Sequence, residues 1–262
     1  MRIAIPFLGL AMTTALLAPA GAASAAVISV NFVGGQSGST AADLTKGGAL
    51  VTGPAGAVSA SNWNNEQSSQ QTTAASIADS LGTPAASLAY TAPNNWAATI
   101  TAPGGGTNAD LMNGYLDNFQ NGGSMTVTNL GPLYTLNGYE VLVYQNADSA
   151  GSFGFTATDN AGHTVTAYGQ QTGGAGSNYP LAGGVNGFVS STSTNPAGPG
   201  SAANYVVLSG LTGSNVTITA AAGTTGDGRV RPNGFQIVSN VPEPTSLGLI
   251  GLGALGLLRR RR

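Results

Sequence analysis

Between residues 27 and 238 the chain is interrupted every few residues by Gly, Asn, Pro or Asp, and the runs between are short and rich in β-branched or aromatic side chains. Such runs pack as strands and are too short for helices that hold a core. They fall at 27–32, 87–90, 96–101, 125–129, 139–144, 153–158, 164–168, 205–208, 216–220 and 235–238. Several alternate, with Phe153 and Phe155 on one face, or Val216 and Ile218. The expected fold class is all-β, an antiparallel β-sandwich. One stretch differs: Leu111, Met112, Tyr115 and Leu116 fall at helical spacing after Asn108, a candidate cap, which predicts a short helix within 109–119. Residues 36–71 and 170–201 read as long loops, with strand-like patches only at Leu50, Val51, Val58 and 185–189. Loops of that length are usually functional or mobile.

Both ends of the chain read as removable. Arg2, an apolar run over 3–17 and Ala23-Ser24-Ala25 make residues 1–25 a secretory signal peptide, cut before Ala26. The other end is tripartite: Val241-Pro242-Glu243-Pro244, an apolar Gly-spaced run over 247–258, then Arg259, Arg260, Arg261 and Arg262. That run is about 18 Å long as a helix, short of a hydrocarbon core of roughly 30 Å, so it suits a transient anchor better than a permanent one. The arginines stay cytoplasmic under the positive-inside rule and place the body outside. Gly251, Gly253 and Gly256 spell a dinucleotide-binding pattern, but no βαβ unit surrounds them, and that reading is rejected. The tail resembles the PEP-CTERM sorting signal of bacterial surface proteins. The resemblance implies recognition and cutting near Pro242 by an exosortase-like transpeptidase, after transient contact with the inner membrane, and release to the envelope surface or extracellular matrix. A plain membrane tail is the alternative.

Residues 26–240 remain, a length suited to one β domain. Three basic residues (Lys46, Arg229, Arg231) stand there against nine acidic ones, a formal charge of −6. With no basic patch, nucleic acid is excluded as a partner. Charged residues make up 7% of the chain, against roughly 25% in ordinary domains, so the surface is made polar by Ser, Thr, Asn, Gln and Gly. Cysteine is absent, which removes thiol nucleophiles, thiolate metal sites and disulfides.

Catalysis has few candidates. His163 is the single histidine, in a turn-like Asp159-Asn160-Ala161-Gly162-His163, without a nucleophile elbow. Glu66 and Glu140 are the only glutamates of the body and the one pair that could run glycoside hydrolysis. Arg229 and Arg231 would share a face in an extended segment and could grip an anion or form structural ion pairs. For neutral sugars the candidates are Trp63 and Trp96, beside Asn64 and Asn65. Either ring could instead be core. Thr-x-Thr recurs at Thr99, Thr126, Thr156, Thr164 and Thr217. Regular threonine ranks can bind ice, but the intervals between these pairs are irregular, and an antiparallel sheet ordinarily faces threonine to solvent.

The body also resembles a family pattern. Asn31-Phe32 closes a first strand, Asn62-Trp63-Asn64-Asn65 follows, then Leu111-Met112-Asn113-Gly114-Tyr115-Leu116, Asn204-Tyr205-Val206-Val207-Leu208 and Asn233-Gly234-Phe235-Gln236-Ile237-Val238. This is similar to the jelly-roll sandwiches of carbohydrate-binding and malectin-like modules. The resemblance implies a jelly-roll, in which a structural Ca²⁺ is common; Asp148 and Asp227 sit in turns suited to one, although Asp favours turns in any case, and no other cofactor is expected. The expected function is a non-catalytic exported surface or matrix protein, associated with exopolysaccharide. A carbohydrate-binding module is the alternative, and a polysaccharide hydrolase or lyase the third reading.

Overall fold

The computed structural model describes residues 25–35, 40–98, 107–174, 176–197, 200–224 and 229–240. The first strands in chain order are β1 (Val27–Phe32), β2 (Asn64–Glu66), β3 (Gln70–Ala78), β4 (Pro84–Thr91), β5 (Asn94–Ala97), β6 (Gly114–Asp117) and β7 (Ser124–Thr128). The rest are β8 (Tyr139–Gln145), β9 (Gly151–Asp159), β10 (Thr164–Gln171), β11 (Ser190–Ser191), β12 (Tyr205–Leu211), β13 (Val216–Ala220) and β14 (Pro232–Ser239). Two short helices, α1 (Thr107–Leu111) and α2 (Pro132–Thr135), interrupt them. The chain is all-β, and among the described residues no helix is long and apolar enough to cross a membrane.

One six-stranded sheet has the order β11-β12-β8-β14-β1-β2, the other β10-β9-β13-β7-β4-β3, and β5 pairs with β6 as a separate hairpin. The expectation of a purely antiparallel fold needs one correction. The edge strands β2 and β11 run parallel to their neighbours β1 and β12.

Alternation explains the core. Ile28, Val30 and Phe32 of β1, Val141 and Val143 of β8, and Phe235 and Ile237 of β14 point one way and meet Leu88, Met125, Val127, Phe153, Phe155 and Ile218 of the other sheet. Phe32 packs on Tyr90 with ring centroids 5.1 Å apart, which joins the sheets through β1 and β4, each next to an edge strand. The opposite face of the first sheet is covered too. Val27, Leu142, Tyr144 and Val238 lie under Val51, Ala55, Ala60, Trp63 and Phe188 from the long loops and Leu111 and Met112 at the end of α1. That second layer explains why all eight residues of β14 are buried.

The long loops are therefore packed structure. Their irregular backbone is held by side-chain amides: Asn64 donates to the carbonyls of Ser29 and Ala78, and Gln236 donates to Ser29 Oγ and to the Val58 carbonyl. The helix expected over 109–119 is corrected to the single turn α1 followed by β6. Asn108 lies inside that turn, and its side chain accepts the Gly56 N–H at 2.9 Å. Gly114 forces the change, because a Cβ there would stand 2.0 Å from the Val33 carbonyl oxygen. β6 can approach β1 this closely only at a residue without a side chain. The strand-like patch at 185–189 is a turn closed by Val185 and Phe188, with β11 just after it.

Candidate functional site

Trp63 is 6% exposed and belongs to the second core layer. Its indole N–H donates to the Ala60 carbonyl at 2.9 Å, so neither ring face is open to a pyranose. The neighbouring amides are engaged as well: Asn65 bonds the N–H and C=O of Val51, and Asn64 bonds the N–H and C=O of Ala78 on β3 and the carbonyl of Ser29 on β1. The expected sugar-contacting role of Trp63, Asn64 and Asn65 is thereby corrected to a structural one. The reason is that they stitch an irregular loop to a sheet. Trp96 is half-buried in β5 and packs with Tyr115, Ala98 and Ala147.

The carboxylates do not converge. Glu66 lies at the far edge of the first sheet and Glu140 three strands away, which alone separates them by about 14 Å. A glycosidase pair needs roughly 5–10 Å. Burial raises Glu66 above the usual carboxylate range, opposed by a 3.2 Å hydrogen bond from the Tyr90 hydroxyl.

Asp159 organises a turn. Burial would raise it, but the N–H groups of Thr212, Gly213 and His163 and the His163 ring outweigh that and hold it well below the usual carboxylate range. Asp159 is 2.9 Å and Thr212 Oγ1 3.4 Å from the same ring nitrogen, His163 Nδ1. A hydrolytic triad places acid and nucleophile on opposite nitrogens. This arrangement is a turn lock.

Arg231 is 1% exposed and lies between two carboxylates, with Nε 3.2 Å from Asp117 and Nη1 3.0 Å from Asp148. Nη1 also donates to Ser149 Oγ at 2.6 Å. Asp148 thus faces a guanidinium, while Arg229, two residues before the buried Arg231, is exposed. Asp227 lies outside the described residues, as do Thr99 and Thr101. Among the described residues no group of three or more His, Cys, Asp or Glu is placed to hold a metal ion.

Two surfaces went unread in the sequence. The first is the outer face of the second sheet. Register aligns Thr126, Thr217, Thr158 and Thr164 in one rank, and Thr91, Ser124, Thr219, Thr156 and Thr166 in the next. The irregular chain intervals therefore hide a regular arrangement. Hydroxyls meet in pairs at 2.8–3.2 Å, as at Thr156 and Thr166 or Thr126 and Thr217, the cross-strand contacts that stabilise a sheet. A depression of about 200 Å³ lies in this face between Thr72, Thr91, Ser124 and Thr126. The second surface is a groove of about 330 Å³ between Ala57, Gly183, Val185, Ser190 and the rings of Phe188 and Tyr205. Tyr144 backs it, 5.3 Å from Phe188 and 5.6 Å from Tyr205 by ring centroid.

The chain leaves the body at β14. Ser239 donates to the Ala26 carbonyl at 3.0 Å, Asn240 donates to the Gly138 carbonyl at 2.9 Å, and the tail begins at the next residue. Residues 240–262 match the model of the PEP-CTERM protein-sorting motif. The tail is a PEP-CTERM motif. A PEP-CTERM motif implies processing by an exosortase and export to the cell envelope or surface. Val241, Pro242, Glu243, Pro244 and the four arginines fall inside the PEP-CTERM match, and their structure lies outside the described residues. No curated protein and no solved structure matches the chain.

Proposed function

We propose that this chain is a non-catalytic surface or extracellular-matrix protein, exported by a signal peptide at 1–25, cut near Pro242 by an exosortase-like transpeptidase, and retained among exopolysaccharide. The observation that carries the reading is the PEP-CTERM match over 240–262, which begins at the residue after the last strand ends. The body supports it by how its chemistry is used. His163 and Asp159 lock a turn, Arg231 pairs with Asp117 and Asp148, and Glu66 accepts from Tyr90. The hydroxyl ranks give one broad face an uncharged, hydrated surface, which suits a polysaccharide-rich setting. The two packed sheets fit a jelly-roll.

The test is the intact mass of the protein recovered from cells and from medium. Loss of residues 1–25 together with a cut near Pro242 is the expected result. A mass that retains Arg259 to Arg262 overturns the sorting step.

A second reading, a carbohydrate-binding module, is favoured by the groove that holds Tyr205, whose half-buried ring lies next to Ser190 over the buried Phe188. Retention of the body on neutral glycans, lost on Tyr205→Ala, supports it. Retention unchanged by that substitution removes the groove from the reading.

A further inference from the structure

Three leucines are largely exposed at one end of the sandwich: Leu81 at 88%, Leu136 at 79% and Leu133 at 62%. A chain of hydrogen bonds ties them to the point of exit. Ser80, next to Leu81, donates to the Val27 carbonyl at 2.7 Å, and the adjoining Ala26 accepts from Ser239. Asn240 then bonds Gly138, two residues beyond Leu136. Leu133 and Leu136 stand three apart on a helical turn and so share a face. The first residue of the body, the last residue of β14 and three exposed leucines thus occupy one pole.

Charge is distributed to match. Lys46, Arg229 and Arg231, the cations of the body, lie toward the other pole, where β1 ends and β14 begins. The titratable groups facing the exit pole are Asp79, Glu140, Asp159 and His163. Nothing there would draw the pole electrostatically to an anionic lipid surface. Isolated exposed leucines are ordinary on a soluble protein, but three gathered around the exit of a membrane-directed tail are not randomly placed. The tether is also short. From Asn240 to Leu247, where the apolar run starts, the chain spans at most about 25 Å fully extended.

We propose that the pole bearing Leu81, Leu133 and Leu136 rests on the lipid bilayer while the tail is in place, with the leucine side chains in the interfacial layer. The contact is apolar, so it forms on neutral and anionic bilayers alike and resists salt. It presents the linker at 241–246 at the membrane surface, where a membrane-embedded protease works. Once the linker is cut, three leucines and a body of negative charge hold the membrane weakly, and the body leaves. The proposal rests on the reading of the tail as a membrane tether.

The experiment uses the full chain, which contains no cysteine, so a single introduced cysteine is a unique label site. Leu81→Cys, Leu133→Cys, Leu136→Cys and, at the far pole, Val185→Cys are labelled with an environment-sensitive fluorophore. Each is reconstituted through the tail into phosphatidylcholine vesicles and into phosphatidylethanolamine–phosphatidylglycerol vesicles. Expected are a blue shift and strong quenching by a headgroup-region nitroxide lipid at the three pole positions, several-fold above Val185→Cys, in both vesicles and in high salt. Pole labels as wet as Val185→Cys, on protein that floats with the vesicles, overturn the proposal and leave the tether standing. Protein that does not float overturns the tether and the proposal together. A response only when exosortase is added assigns the pole to that protein and overturns the lipid contact.

Discussion

Arg231 reaches Asp117 at 3.2 Å across 114 residues of chain and so fixes the end of β6 to the start of β14. The guanidinium is almost wholly buried, and its second carboxylate, Asp148, is 38% exposed. The two contacts therefore differ in worth. Arg231→Met leaves Asp117 buried without its counter-charge and is expected to cost about 3–5 kcal/mol. Asp148→Asn removes a partly solvated partner and is expected to cost about 1 kcal/mol or less. Urea denaturation of the two variants checks the order.

Asp159→Asn is expected to destabilise by about 1–3 kcal/mol at neutral pH, since one amide oxygen cannot serve every donor around that turn. The carboxyl is held below its unfolded value. Its stabilisation is therefore complete above about pH 4 and is lost as pH falls through the lower folded value. The gap between the native chain and the variant should stay constant from pH 7 to about 4, then narrow with further acid. Denaturation midpoints across that range test it.

Glu66 predicts the reverse. Burial raises its carboxyl, so its charged form weakens the fold as pH rises from the unfolded value through the folded one. Glu66→Gln keeps an acceptor for the Tyr90 hydroxyl and should raise the thermal midpoint at pH 7 while leaving it nearly unchanged at pH 4. A midpoint that falls at pH 7 contradicts this.

Trp63→Ala is expected to cost about 3–5 kcal/mol through the cavity it leaves in the second core layer. Under conditions where the variant stays folded, glycan retention should equal that of the native chain. Scanning calorimetry and affinity electrophoresis on neutral polysaccharides separate the two effects.

What the sequence disclosed follows from range. The ten runs it offered as strands are local, and where the structure describes them they lie in strands or overlap them, because alternation and breakers act over a few residues. β3 was hidden. Gln70–Ala78 is mostly exposed, lies at a sheet edge and carries Gln, Thr, Ala and Ser in place of the usual β-branched alternation. The helical spacing at 109–119 misled because burial on every side of Tyr115 and Leu116 mimics an amphipathic face. Trp63 was undecidable from its polar neighbours, since Asn64 and Asn65 turn out to bond backbone rather than solvent. The threonine ranks were invisible for a further reason. Thr126 and Thr217 meet 91 residues apart, and only register brings them together. The tail was legible throughout, because a processing signal is read as a linear segment.

β14 has a mechanical consequence. It is the strand that continues into the tail, and it is hydrogen-bonded along both edges, to β8 on one side and β1 on the other. A pull along the strand axis at its C-terminal end would load the two ladders in shear, many bonds at once, instead of peeling them singly. Under the proposed tether, drag on the body would be met by two ladders together, through a strand whose residues are all buried.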